Sequence, residues 1–200
     1  GNGASVPNPV YGNLLNPVDL GSGGGGWSGA GGDGGGRVLV GALHVVLDGN
    51  VLANGGLSAG SASGEGSGGS VNLTTRTLSG AGAIRADGGT TNNANHVGGG
   101  GGRVAVRFLD LSTYDPSRIS TRGGDGFYGD GADGTVFLLE EGATNGELVI
   151  NGNGANSSFT DLILPPGQVF ESITLQNGAR VIAQGAIEVA GTLRLSGNSV

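Results

Sequence analysis

The sequence predicts an all-β fold, a right-handed parallel β-helix or solenoid, from its repeats, its spacing and its strand pattern. A glycine run followed by a short apolar strand occurs four times, and the runs end 33, 33 and 32 residues apart, at Gly36, Gly69, Gly102 and Gly134. A near-constant period of this size marks repeats that bury their apolar faces against their neighbours. The repeats contain strands and turns without helical periodicity. We therefore expect glycine-rich coils of ~33 residues with stacked parallel strands.

Each repeat contributes two strands to the predicted stack. The opening strands begin at Arg37, Ser70, Arg103 and Thr135, and the closing strands cover 51–53, 83–86, 118–121 and 147–150. A right-handed path is favoured because strands twist in that sense. Two columns of side chains then form the core, one from Val38, Val71, Val104 and Val136 and one from Leu52, Ile84, Ile119 and Val149.

Differences in the spacing of the repeats divide the chain into three segments. Residues 1–20 lack the repeat and contain three X-Pro steps, so we expect an extended lead-in segment. Residues 21–159 hold the four glycine-rich repeats. Residues 160–200 have more closely spaced apolar triplets, which predict shorter coils that continue beyond residue 200 in a longer polypeptide.

Glycine supplies 47 of the 200 residues, and two roles are expected of it. Turns between strands need a positive φ, which glycine adopts without steric cost. The glycine tracts before the opening strands are also expected to pack against one another where a Cβ would not fit. The alternative is that these tracts are flexible surface loops.

Composition and charge exclude several classes of protein. The net charge of −7, with nine Arg and no Lys, argues against binding to a nucleic-acid backbone. The absence of Cys excludes disulfides and thiolate metal sites. No run of apolar residues is long enough to span a membrane. An acidic chain rich in Gly, Asn, Ser and Thr fits a bacterial extracellular or cell-surface protein.

Several phrases resemble the glycine-rich β-solenoid segments of very large bacterial surface and secreted proteins. They are YGNLLNPVDLGSGG at 11–24, SGAGAIRADGG at 79–89 and GGGGGRVAVRF at 98–108, while GTLRLSG at 191–197 resembles the short β-helical coils of those proteins. The resemblance covers most of residues 11–200. It implies an extracellular right-handed β-helix that serves as a stalk, an adhesin or a matrix component, and it carries over no catalytic or binding residue.

An acidic loop is the candidate metal site. Asp125, Asp130 and Asp133 each precede a glycine, and carboxylates on a turn-forming backbone suit Ca²⁺. Residues 129–136 match part of the nonapeptide of Ca²⁺-binding β-rolls, but only one copy is present and Thr135 replaces the large aliphatic residue. A calcium site and a solvated acidic loop both stay open, and the single copy favours the solvated loop.

Aromatic and arginine side chains are the candidate glycan-binding groups. The residues concerned are Trp27, Tyr114, Tyr128, Arg103 and Arg107. The aromatic residues fall in expected loops or tracts, where a ring either stacks on a sugar or caps the core. An arginine row along the repeats would also include Arg85, Arg118 and Arg122. Such a row would bind acidic glycans; the alternative is outward-facing Arg that keeps the stack soluble.

The sequence favours a structural or adhesive module of an extracellular or cell-surface protein over an enzyme. His44 and His96 have no zinc-site spacing and are expected to be ordinary surface or packing residues. No cofactor other than calcium is expected. Two alternatives stay open: a glycan-binding or polysaccharide-cleaving β-helix domain, and a self-assembling filament subunit. The expected partners are flanking coils of the same polypeptide, further copies of the chain, or extracellular polysaccharide.

Overall fold

The structure, a computed structural model, describes residues 12–26, 29–60, 62–92, 95–154 and 158–200. Within these ranges the chain forms twelve β-strands and one turn of 3-10 helix at Pro116–Arg118. The strands are β1 (Arg37–Val46), β2 (Asn50–Leu52), β3 (Ser70–Ser79), β4 (Ala83–Arg85), β5 (Arg103–Phe108), β6 (Ile119–Ser120), β7 (Thr135–Glu140), β8 (Glu147–Asn151), β9 (Thr160–Leu162), β10 (Val169–Gln176), β11 (Val181–Ala183) and β12 (Glu188–Leu195). In the described part of the chain, no helix has the length and apolar character needed to cross a membrane.

The strands form one large sheet and two small ones. The large sheet has seven strands in the order β1-β3-β5-β7-β8-β10-β12. The opening strands of the repeats lie next to one another in this sheet, and neighbours from β1 to β7 are parallel. The closing strands of the first three repeats form a separate parallel sheet in the order β2-β4-β6, and β11 pairs with β9.

The predicted right-handed parallel β-helix or solenoid is wrong, because the large sheet is open and mixed. β7 and β8 pair antiparallel, with Val136 opposite Val149, and β8, β10 and β12 are parallel to one another. Only six residues separate β7 from β8. A link of that length suits an antiparallel hairpin, whereas a parallel neighbour needs a crossover of a dozen or more residues. The fourth repeat and the expected short C-terminal coils therefore do not continue the pattern of the first three repeats.

The strand register preserves one predicted side-chain column and alters the other. The column of Val38, Val71, Val104 and Val136 is confirmed, since each lies opposite the next in adjacent parallel strands. The second column is displaced at its start, because Val51 rather than Leu52 lies opposite Ile84. Val149 does not belong to that column, because β8 joins the large sheet.

Both faces of the large sheet are buried around β5. Val104 and Val106 are fully buried in a core cluster that also includes side chains of the three-stranded sheet. Ala105, between them, is fully buried in a second cluster together with Phe137. Alternate side chains of a strand point to opposite faces, so this short strand contributes to two cores. Leu14, from the segment before the repeats, packs into the second cluster.

The glycine tract at 64–69 is ordered by backbone hydrogen bonds that repeat every three residues. Its successive amides donate in turn to segments 22–25, 97–100 and 53–56, and then once more to the same three segments. The donors Gly64, Glu65, Gly66, Ser67, Gly68 and Gly69 bond to the carbonyl oxygens of Gly25, Val97, Gly56, Ser22, Gly100 and Ala53, respectively. Three residues per turn is the period of an extended polyproline II-type helix, which makes no hydrogen bonds within itself. The flexible-loop alternative is wrong for this tract.

The tract glycines leave no room for side chains. A Cβ at Gly69 would overlap the carbonyl oxygen of Gly36, and a Cβ at Gly102 would overlap that of Gly69. The same carbonyl of Gly69 accepts a hydrogen bond of 2.9 Å from the amide of Arg103. The prediction that the tracts pack too closely for a Cβ is confirmed. The positive-φ role belongs to turn glycines such as Gly80, at φ +103°.

We predict that Gly102→Ala lowers the free energy of unfolding by about 2–3 kcal/mol, because its Cβ meets backbone rather than a movable side chain. Gly36→Ala is the matched control, since Gly36 occupies the same column but a Cβ there has no atom within 4 Å. Urea unfolding of dilute protein measures both. Equal losses in the two variants would contradict the packing argument.

Candidate functional site

The predicted calcium ligands bind separate protein groups. Asp133 is buried, and its Oδ1 accepts a hydrogen bond of 3.0 Å from the amide of Gly123. Asp130 accepts one of 3.0 Å from a backbone amide four residues earlier, and Asp125 accepts one from the side-chain amide of Asn153. Among the described residues, no three carboxylate, imidazole or thiol groups come together as metal ligands. The structure therefore does not bring the three Asp residues together.

Phe127 and Tyr128 form an exposed aromatic pair, called the aromatic tip below. Their side chains are 67% and 66% exposed, and their rings meet edge to face with centroids 5.5 Å apart. The Tyr128 hydroxyl donates to Asn95 Oδ1 at 2.7 Å, and its amide donates to the carbonyl oxygen of His96 at 3.0 Å. The predicted glycan-binding residue Tyr128 is thus exposed and also fixed in position.

Short hydrogen-bonded links hold the loop that carries the aromatic tip. The amide of Gly126 donates to Asp130 Oδ1, which closes the loop on itself. The amide of Gly98, in the neighbouring tract, donates to the carbonyl oxygen of Gly129 at 3.0 Å. The loop is therefore attached to the packed tracts at its C-terminal side and to segment 95–96 through Tyr128.

A buried polar cluster lies next to the backbone that holds the aromatic tip. The side chains of Glu65 and His96 are 1% and 2% exposed, and His96 Nδ1 lies 3.0 Å from Glu65 Oε1. The Ser58 hydroxyl donates to Glu65 Oε1 at 3.0 Å and lies 2.9 Å from the same imidazole nitrogen. The Ser58 amide donates to Glu65 Oε2. Hydrogen bonds from Ser58 and the contact with His96 thus satisfy the carboxylate.

The cluster does not have the geometry of a serine hydrolase. In a Ser-His-Asp relay, the serine and the carboxylate contact opposite nitrogens of the imidazole. Here Ser58 and Glu65 both lie against Nδ1 of His96. The two ionisable side chains are also buried. We interpret the cluster as structural: it fixes segment 95–97, and His96 proves to be a buried packing residue.

Tyr114 and the arginines do not form the predicted glycan-binding surface. Tyr114 is 3% exposed, and its hydroxyl donates to the carbonyl oxygen of Gly82 at 3.3 Å, so its ring caps the core and cannot stack on a sugar. Arg107 donates to the carbonyl oxygen of Leu15 at 2.6 Å, and Arg103 is half-buried. Trp27 lies outside the described residues.

The expected arginine row does not form, because the strand register places other residues beside each Arg. Arg103 lies between Ser70 and Thr135, and Arg107 lies between Thr74 and Leu139. Arg85 lies opposite Leu52 on one side and Ser120 on the other. No two of Arg85, Arg103 and Arg107 therefore lie opposite each other in adjacent strands.

A shallow groove of about 680 Å³ crosses β1, β3, β5 and β7 at their middle and C-terminal parts. Leu43, Phe108 and Leu139 supply apolar walls, and Arg76 and Glu140 supply charges of opposite sign. A volume of this size suits a small ligand. Because both signs of charge line it, the groove singles out no class of ligand.

Glu65 should make the folded state sensitive to acid. Burial by itself raises the pKa of Glu65, but hydrogen bonds from His96 and Ser58 and the charge of His96 outweigh burial and hold the pKa below 4.5. A carboxyl that is more acidic in the folded state stabilises the fold above its unfolded pKa, and this stability is lost as the pH falls through the folded pKa. We therefore expect the melting temperature to decrease as the pH drops below about 4.5.

Glu65→Gln should remove this part of the pH dependence while lowering the melting temperature at pH 7. Glu141→Gln is the control, because Glu141 is exposed. Thermal melts followed by circular dichroism from pH 7 to about pH 3 compare the variants. A Glu65→Gln protein whose melting temperature falls with acid as steeply as that of the original chain would refute the assignment.

Chelation is expected to leave the melting temperature unchanged, since Asp125, Asp130 and Asp133 already accept hydrogen bonds from protein groups. Melts with excess EDTA and then with excess Ca²⁺ test this, because a ligand of the folded state raises its stability by mass action. Asp133→Asn should lower the melting temperature equally in both solutions. A calcium-dependent rise in the original chain that Asp133→Asn abolishes would establish a calcium site.

Comparison with models of known protein families, with curated proteins and with solved structures yields no match to this chain. The likeness to glycine-rich segments of bacterial surface proteins therefore rests on the phrases at 11–24, 79–89, 98–108 and 191–197 and stays a prediction. The aromatic tip is the candidate site with the best defined geometry.

Proposed function

We propose that the chain is a structural and adhesive module of an extracellular or cell-surface protein, and that the aromatic tip makes its adhesive contact. One observation carries the proposal: Phe127 and Tyr128 are two-thirds exposed, yet Tyr128 is held by hydrogen bonds from both its hydroxyl and its amide. Large exposed rings that are already fixed lose little conformational entropy on binding. Aromatic residues of this kind dominate the binding energy of many interfaces.

The glycine tracts support a role in display. Their amides bond to three neighbouring segments, and their carbonyl oxygens lie where any Cβ would overlap them. Such packing leaves the backbone little freedom to shift. The loop of the aromatic tip is attached to this packed region through Gly98 and Gly129. A rigid base of this type suits a module that presents one contact and resists pulling.

The charges around the aromatic tip favour a neutral polysaccharide as its ligand. Asp125 and Asp130 flank the two rings in sequence and carry negative charge, and the whole chain has a net charge of −7. This field repels acidic glycans. The apolar face of a neutral sugar can stack on the exposed rings, and the Tyr128 hydroxyl adds a polar group at their edge.

The polysaccharide-cleaving alternative depended on a row of arginines beside exposed aromatic residues. Arg103 and Arg107 lie in separate rows of the sheet, and Tyr114 is buried. We therefore propose binding without cleavage.

Retention on insoluble neutral polysaccharides tests the proposal. The protein should be retained by at least one of cellulose and chitin and should pass over the acidic polymers pectate and alginate. Phe127→Ala and Tyr128→Ala should each weaken retention about tenfold, which corresponds to about 1.4 kcal/mol. Phe159→Ala is the matched control, because Phe159 is 42% exposed but packs on the guanidinium of Arg180 at 3.9 Å.

Retention of the alanine variants at the level of the original chain would show that the aromatic tip is not the contact. Failure of the original chain to bind any neutral polymer would overturn the proposed ligand class. Circular dichroism melts should show that the three variants fold as the original chain does.

A further inference from the structure

An apolar stripe lies on the outer side of the first repeat. Leu39, Leu43 and Val46 of β1 and Leu52 of β2 are 53%, 68%, 72% and 56% exposed. We call these four residues the edge stripe. Single exposed apolar residues are common on protein surfaces, but several on the outermost strands of two sheets indicate a surface that can meet a partner.

The register shows that the second repeat has polar residues at three of these four positions. In the next strand of each sheet, Leu39 lies opposite Asn72 and Val46 lies opposite Ser79. Leu52 lies opposite Arg85. The repeat thus tolerates polar side chains where the edge stripe has Leu and Val. Farther from the edge the Leu39 position is apolar again, with Ala105 and Phe137, but both of these are buried, whereas Leu39 is exposed.

The backbone at this edge is also unpaired. β1 is ten residues long and, within the described part of the chain, pairs only with β3. The outward amides and carbonyls of such a strand are a template for another strand. Proteins usually block exposed edges with charged residues, with Pro or by shortening the strand, and β1 has only Arg37 at its first position.

The opposite edge of the large sheet is also open, although β12 carries Glu188 and Arg194 and its register with β10 has one irregularity. β12 is eight residues long and, among the described strands, pairs only with β10. Leu193 and Leu195 are 56% and 54% exposed, and Ile182 of the adjacent β11 is 50% exposed. The chain therefore carries two open apolar edges at opposite ends of one sheet.

The strand directions allow the two edges to pair with each other. β1 to β7 are parallel, β7 and β8 are antiparallel, and β8 to β12 are parallel, so β12 runs opposite to β1. A second copy shifted along the sheet places its β1 antiparallel to β12 of the first copy. Antiparallel edges form a ladder without any crossover. Because this contact joins unlike surfaces, it extends into a chain of subunits instead of closing as a dimer.

We propose that copies of this chain associate end to end, with β1 and the edge stripe of one copy on β12 of the next. The contact extends the seven-stranded sheet from one copy to another. It buries Leu39, Leu43 and Val46 against Leu193 and Leu195. The proposal is independent of the aromatic tip, which lies on neither edge strand.

Sedimentation velocity of the full 200-residue chain over a range of concentrations tests the proposal. We expect the average mass to rise with concentration. Val46→Lys and Leu193→Lys should each give a monomer, because a charge on either edge strand opposes pairing. Ile163→Lys is the control: Ile163 is 56% exposed and lies outside β1 and β12, so this variant should associate as the original chain does. Matching thermal melts of dilute samples verify that every variant folds.

A mixture of the two edge variants gives the sharpest result. The Val46→Lys chain keeps an intact β12, and the Leu193→Lys chain keeps an intact β1. Mixed in equal amounts, they should form a one-to-one dimer that cannot grow. A chain that is monomeric at every concentration overturns the proposal, as does association that survives either Lys substitution or a mixture that remains monomeric.

Discussion

Close contact between glycine backbones is the constraint on which the rest of this structure depends. In tract 64–69 successive amides point in three different directions around the chain axis, and each donates a hydrogen bond to one of three neighbouring segments. Each neighbour must come within hydrogen-bonding distance, and at Gly66, Gly68 and Gly69 no space is left for a Cβ. Glycine is therefore required for its small size at these sites rather than for positive φ. Collagen follows the same physical rule, since only glycine fits where extended chains crowd together.

This packing explains how a chain with so few aromatic residues can be ordered. Aromatic residues make up 4% of the sequence, so large rings contribute little to burial. Backbone amides and carbonyls in the tracts are instead paired with one another, which removes the cost of burying them. Aliphatic side chains then fill two places: the space between the large sheet and the three-stranded sheet, where Val71, Val104 and Ile84 are buried, and the second cluster on the other face of the large sheet. The second cluster around Phe137 and Phe170 adds the only described ring pair of the interior.

The parts of the fold that could be predicted are those that depend on the repeat alone. Each valine of the column at Val38 follows its tract glycine by two residues, so the spacing predicts its partners. The antiparallel pairing of β8 could not be predicted from the repeat, because it follows from the short link after Glu140, which breaks the repeat pattern. Tyr114 was equally ambiguous: the same loop position suits an exposed ring or a core cap, and only the position of Gly82 in space decides it.

The candidate site, too, could be predicted only in part from the sequence. Tyr128 could be identified as a loop aromatic residue from the sequence, but the cluster of Ser58, Glu65 and His96 could not. Its members lie up to 38 residues apart and meet only because neighbouring repeats are stacked. One signal was present, since Glu65 lies 33 residues after Gly32 and 33 before Gly98 and so interrupts a column of glycines.

Glu65, which interrupts this column, connects the glycine tracts with the aromatic tip. A Cβ at Gly32 or at Gly98 would overlap backbone atoms of a neighbouring segment, yet the equivalent position holds a glutamate. The chain therefore gives up close glycine packing at one point and places a carboxylate there. The amide of Glu65 bonds to Val97, and its side chain bonds to His96, so this one residue fixes the segment whose backbone and Asn95 hold Tyr128. A buried charged group is costly unless it is paired, and a position that keeps one in a glycine column is best explained by the geometry that it imposes on segment 95–97.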